Sequence, residues 1–415
     1  MKYLILLLLL LNFNILAVTE FVVTLNKTGQ DYDTLTEAVA ALKLAGNITA
    51  SDCKVFAHGG ITGTIADSAS VSGVSSGATG TVIHCTSTQI LIDAISGTFQ
   101  AEQIQVDGDN YVTSTDTGDG VALRMDIYDD DGTLTETGSY IDTSGFTTSA
   151  TNYVKISAPE GERHSGTIGS GATINFVMSS GSSFIYIHSE NIIIEWLVMT
   201  GSMNSSYSGA AGMYFYESFG SVVRNCIMYN FINNNATAKI AAIGMFNAWA
   251  PPDGDYDYAF NNIIYNCEGD GVWTNGGSNH VLVNNTVYNC GGYGFNEGSG
   301  SAYLYNNIAI GNTTADYDTG MAVLTACASG DTSGSAGLQE ITTSVFVSVT
   351  PSSEDLHIVS GTDLQDAGTD YGSAFGVAID IDGRDRDAEG DVWDVGADEY
   401  VAPPGPGDPL VGCIF

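Results

Sequence analysis

The sequence predicts an all-β solenoid, and three observations carry that expectation. Between Gly209 and Asn312 one unit recurs four times, opening on Gly212, Gly244, Gly271 and Gly294 and stepping through asparagine at Asn225, Asn261–Asn262, Asn284–Asn285 and Asn306–Asn307. The opening glycines lie 32, 27 and 23 residues apart, within the repeat range of solenoids. The apolar runs between these landmarks are short, rich in β-branched and aromatic residues, and bounded by Gly, Asn and Ser, which is strand punctuation. A unit with two or three short strands cannot bury its own apolar face, so neighbours must stack into a continuous core.

A turn repeated at one height in every coil puts identical side chains about 4.8 Å apart. Asparagine suits that place because it tolerates left-handed backbone and can bond to the next asparagine. A third landmark, Asn230, Asn266, Asn289 and Asn312, is expected to close each unit. At these residues the chain resembles the right-handed parallel β-helix proteins of the pectate-lyase-like superfamily, which implies that fold. A β-sandwich with irregular loops is the alternative, and it gives asparagine no reason to recur at one point of each unit.

In chain order, residues 1–17 read as a secretory signal: Lys2, an apolar core from Leu4 to Leu11, and Ala17 before the cleavage point. That core is short for a membrane span, so no stable span is expected after processing. Residues 18–70 are expected to hold an N-terminal cap and the first coil. Within them Phe21–Leu25 is a strand, and Thr36 to Leu44 has helical spacing behind a Thr/Glu start. The segment resembles the entrance of many β-helix proteins, where such a helix covers the open first coil; Val55-Phe56-Ala57 would then be the first coil strand. Residues 71–120 alternate like hairpins (Thr81–Cys85, Gln89–Asp93, Gln103–Val106) and read as a small all-β insertion, whose wording resembles a module of bacteriophage virion proteins. Coils are expected over 121–345. The stretch Asp380–Arg386 with Trp393–Tyr400 resembles the ending of secreted β-helix proteins, where it closes the final coil, so 346–401 is read as a C-terminal coil or cap. Residues 402–415 are a Pro/Gly tail.

Composition bounds the function. With 48 acidic and 11 basic residues the net charge is −37, a field that repels nucleic acid and polyanionic glycans and favours solubility and divalent cations. The seven cysteines show no CxxC pair and no metal-ligand spacing; Cys267 and Cys290 fall at one position of adjacent units and read as small core residues. The longest excursion among the repeats, Asn247 to Tyr258, combines aromatics with alternating carboxylates. Trp249, Tyr256 and Tyr258 can stack on sugar rings, and Asp253, Asp255 and Asp257 can bind sugar hydroxyls or calcium, the one cofactor suggested. Trp273, Asp270, Asn296 and Glu297 come from corresponding positions in the next two coils and are expected to share one groove with that loop; a plain solvated loop is the competing reading.

Catalysis has weaker support. Asp253, Asp255, Asp270 and Lys239 are the candidate catalytic groups, while His280 reads as a surface residue at a strand start. The sequence motifs of pectin hydrolases and of pectate lyases are missing. The expected protein is therefore a secreted or virion-surface β-helix presenting a glycan-binding surface, with a polysaccharide or cell-surface glycan as partner. A polysaccharide lyase or glycoside hydrolase is the second reading, and a self-associating filament or coat subunit the third.

Overall fold

The computed structural model describes residues 18–401, apart from 108, 139, 208, 236–239, 248–255, 277–279, 322, 376–377 and 390–391. The chain divides into two compact units, one of residues 44–123 with the N-terminal residues up to Val22, the other of Val23–Lys43 with everything from Arg124 onward.

The larger unit is a parallel β-helix. From Val154–Ser157 each winding runs through a first, a second and a third sheet in turn, and every strand pairs in parallel with its counterpart one winding on. Among the described residues these sheets hold nine, eight and seven strands. The opening helix Leu35–Leu42 is capped by Thr34, whose side chain accepts from the Glu37 N–H, and it buries Leu35, Ala38, Val39 and Leu42. Fully buried Glu136 accepts the Leu35 N–H and the Thr36 hydroxyl, placing a carboxyl at the positive end of the helix.

Asparagine does two different jobs at the corner between the first and second sheets. Trp196, Asn225, Asn261, Asn284, Asn306 and Ala326 stack at φ of 62°, 50°, 49°, 54°, 51° and 51°, so the column needs residues that accept left-handed backbone. The following residue points inward and builds a ladder. Asn262 Nδ2 donates to Asn285 Oδ1 (2.9 Å), Asn285 Nδ2 donates to Asn307 Oδ1 (2.9 Å), and each Oδ1 also accepts the backbone N–H of the preceding layer. Cys226 and Cys327 hold the same place at the two ends. At the next corner Asn230, Asn266 and Asn289 are left-handed, but Gly311 takes the fourth place; Asn312 lies one residue later, beside Cys290, whose N–H it accepts at 2.8 Å. Gly244 likewise aligns with Tyr214 and Trp273, and Ala242 holds the opening place expected of it.

Two expectations about boundaries change. Lys54–Thr62, which includes Val55-Phe56-Ala57, is not a coil strand: it pairs antiparallel with Gln89–Ser96 and Tyr111–Ser114 in a closed six-stranded barrel around Phe56, Val82, Ile90, Ile92 and Ile104. A four-residue apolar run fits either context, and only its partners decide. The C-terminal segment does not close the final coil; it returns along the flank of the helix. Asn225, Asn261 and Asn306 donate to the carbonyls of Asp380 (2.5 Å), Ile379 (2.5 Å) and Thr369 (2.8 Å). The second sheet stacks Val198, Ile227, Ile263, Thr286, Ile308 and Ala328 in one row, and Leu364, Ile381, Val395 and Ala397 cover its apolar members. Thr286, the polar member, accepts the Ala397 N–H at 3.0 Å. Arg386, fully buried, locks this segment: it donates to Glu399 (2.9 Å), to the carbonyls of Gly396 (2.9 Å) and Ala397 (2.7 Å), and to Asn261 Oδ1 (3.2 Å).

Candidate functional site: an aromatic face on the third sheet

Alternation along the third sheet throws every second side chain outward, and parallel register lines those side chains up from layer to layer. One row runs Asp142, Tyr186, Tyr214, Gly244, Trp273, Asn296. Beside it Tyr216, Phe246 and Asn275 form a second row, with His188 packed edge-on against Tyr216. Tyr186 and Tyr216 stack at 5.8 Å between ring centroids, and Tyr216 and Phe246 at 5.4 Å with planes 15° apart. Tyr140 extends the series, 5.8 Å from Tyr186. Burial lifts Tyr186 to about 12, with Tyr216 adding to the effect, so its hydroxyl stays a neutral hydrogen-bonding group across the physiological range.

Gly244 interrupts the first row. A Cβ there would meet the Ala211 Cβ at 2.8 Å and the Tyr214 ring at 2.9 Å, so glycine lets the Tyr214 ring lie down over the sheet, where it is buried. Two depressions open on this face. One, of about 380 Å³, is lined by Tyr186, Tyr207, Tyr214, Tyr216 and the polar stretch Asn204–Ser206. The other, of about 310 Å³, is lined by Trp273, Asp270, Asn296 and Tyr293 over a floor of Gly and Ala. Tyrosine ring edges and hydroxyls beside serine and asparagine in the first, and an indole beside a carboxylate and an amide in the second, suit a ligand with both apolar and hydroxyl-bearing surface.

Of the groups expected to form one groove, Trp273, Asp270 and Asn296 come together here. Asp270 accepts the Tyr293 N–H and the Asn296 amide, both at 2.7 Å, so its carboxylate orders this site. Glu297 is instead buried, in register with buried Thr274. Tyr258 belongs to the first sheet and Tyr256 directly precedes its strand; both pack among Phe260, Tyr303 and Phe375, and so cannot share the groove. His280 is buried and pushed down to about 4 by that burial. Trp249, Asp253, Asp255 and Lys239 lie outside the described residues. Sequence reasoning misses Tyr186, Tyr214 and Tyr216: Tyr186 precedes the clear repeat, Tyr214 and Tyr216 sit in the opening strand of its first unit, and only register shows all three on one face.

Asp257 also departs from expectation. It is fully buried, accepting from Asn247 Nδ2 (2.9 Å) and Ser221 N–H (3.2 Å), so it is not a surface calcium ligand. Burial pushes its carboxyl up to about 8, against the pull of those hydrogen bonds. An unfolded aspartate titrates near 3.9. Between about 4 and 8 the folded chain holds a proton that the unfolded chain has released, so this contribution to stability is complete below about pH 4 and drains away as pH rises to about 8. Asp257→Asn should flatten that slope and gain on the parent chain at the alkaline end. Guanidinium midpoints measured across the window check this, and an unchanged slope would refute it.

A larger groove of about 550 Å³ runs between Tyr229, Tyr288 and the stretch Val349–Glu354. Its amides are already engaged: Asn289 donates to Asn266 (2.7 Å) and Asn266 to Glu354 (2.8 Å). Among the described residues one group of side chains has metal-ligand spacing, His357 with Asp382 and Asp398.

Fold and face together define a parallel β-helix with an aromatic sheet surface. No protein-family model and no curated protein sequence matches the chain. Among solved structures it is similar to the crystal structure of pectate lyase Pel9A, with a TM-score of 0.31 and 15% identity over 68% of this chain and 88% of that one.

Proposed function

We propose that this chain is a secreted or virion-surface β-helix whose third sheet binds glycan, without turning it over. The observation that carries the reading is the pair of aromatic rows, Tyr186, Tyr214 and Trp273 beside Tyr216 and Phe246, set next to hydroxyls and amides. Stacked rings turn their edges and hydroxyls outward, where they and their polar neighbours meet sugar hydroxyls, while the Trp273 indole at the second depression underlies the C–H face of a pyranose. The net charge of −37 opposes uronate or sulfate polymers, so the expected ligand is a neutral polysaccharide.

Binding to a panel of neutral and acidic polysaccharides, by affinity electrophoresis or calorimetry, tests this. Tyr216→Ala and Trp273→Ala should each weaken binding about tenfold or more, the usual loss at a central aromatic anchor. Tyr258→Ala, on another sheet, should leave it unchanged. Retained affinity in both face variants would sink the reading. Release of reducing ends or unsaturated uronates would favour the enzyme reading, and concentration-dependent growth in light scattering the coat or filament reading.

A further inference from the structure

We propose that His357, Asp382 and Asp398 bind a divalent transition-metal cation of the Zn²⁺ class, tying the strand Asp355–Ile358 to the returning C-terminal segment. One ligand atom from each lies within 4.8 Å of the others, and His357 Nε2 is 3.1 Å from Asp382 Oδ1. Modest contraction brings such a set onto an ion with bonds of about 2.0–2.2 Å.

The support around the imidazole is what a metal-bound histidine requires. Asp355 Oδ1 takes the Nδ1–H at 2.5 Å, which fixes the ring and aims Nε2 at the two aspartates. Asp398 supplies the independent observation. Its side chain is 4% exposed; Oδ2 accepts the Ile358 N–H at 2.8 Å, but buried Oδ1 accepts no hydrogen bond, and the nearest cationic atom is Arg384 Nη1 at 4.0 Å. A buried carboxylate oxygen left this way costs stability that a bound cation would return. Gly166 keeps the approach open: a Cβ there would fall 2.1 Å from His357 Nε2 and 2.8 Å from Asp382 Oδ1. An imidazole with two carboxylates suits Zn²⁺ better than Ca²⁺ or Mg²⁺, which prefer oxygen alone.

Arg384 is the built-in competitor. Its guanidinium lies 3.0 Å from Asp382 and is 49% exposed, so it can swing into solvent when an ion arrives. This gives the proposal a readout that a simple ion-pair network would not produce. Full-length chain is stripped with EDTA and titrated with ZnCl₂ by calorimetry, with thermal melts alongside. One saturable site per chain is expected, with a rise in melting temperature. His357→Gln and Asp398→Asn, checked for folding by circular dichroism, should each lose tenfold or more in affinity, and Arg384→Gln should bind more tightly than the parent. No saturable site in the parent chain, equal affinity in the His357 and Asp398 variants, or preference for CaCl₂ over ZnCl₂ would each overturn the assignment.

Discussion

An Arg386→Ala chain is expected to lose about 3–5 kcal/mol of stability, the loss typical of removing one partner from a buried ion pair. Arg386 is completely buried and Glu399 nearly so, and they meet at 2.9 Å. Burial already raises Glu399 to about 7, with Arg386 pulling it back down. Without the guanidinium that carboxyl is buried with the Asp394 N–H but no cation, the Gly396 carbonyl loses its donor, and the Ala397 carbonyl keeps the Ile381 N–H alone. The damage should be local at first, because those contacts hold the C-terminal segment to the second sheet. Guanidinium unfolding gives the magnitude, and limited proteolysis should show cleavage between 360 and 400 before the coils open. A loss below about 1 kcal/mol would mean that water replaces the pair readily.

The second large effect is expected at Asn285. Its Oδ1 accepts the backbone N–H and side-chain amide of Asn262, and its Nδ2 donates to the carbonyls of Ala259 (2.8 Å) and Val283 (3.2 Å) as well as to Asn307. Asn285→Ala leaves several of these groups buried without partners, which should cost about 2–4 kcal/mol. Its neighbour provides the control. Asn284 has φ of 54°, and neither of its side-chain polar atoms makes a hydrogen bond. Glycine adopts that backbone without strain, so Asn284→Gly should change stability by less than about 1 kcal/mol. Equal losses at the two positions, measured by urea midpoint, would mean that the ladder is no stronger than the turn.

The contrast between those neighbours explains which parts of the molecule were legible. Local backbone demand shows in the residues themselves, so the left-handed corners at Asn225, Asn261, Asn284 and Asn306 could be read directly. So could the capping helix, from the apolar spacing read over Thr36 to Leu44, although it begins one residue earlier behind Thr34 and ends at Leu42. Contacts between distant stretches leave no such mark. Asn225 reaches Asp380, 155 residues away, and nothing in either neighbourhood announces it. The aromatic face failed for a related reason. Tyr214 and Trp273 become near neighbours only when Gly244 is placed between them, and an anchor two residues off hides that. The loop reading erred by treating Asp257 as exposed, because alternating Asp and Tyr looks alike in a loop and at the start of a buried strand.

The ladder has an evolutionary side. Adjacent rungs at Asn262 and Asn285 are 23 residues apart, and each offers the same donors and acceptors to whatever lies above and below. A copied or deleted segment of that length would meet an identical socket, so the molecule could lengthen or shorten by whole layers through recombination within its own gene. The thiols of Cys226 and Cys327 mark where that interchangeability stops, since a rung meeting sulfur finds no amide to continue the chain of bonds.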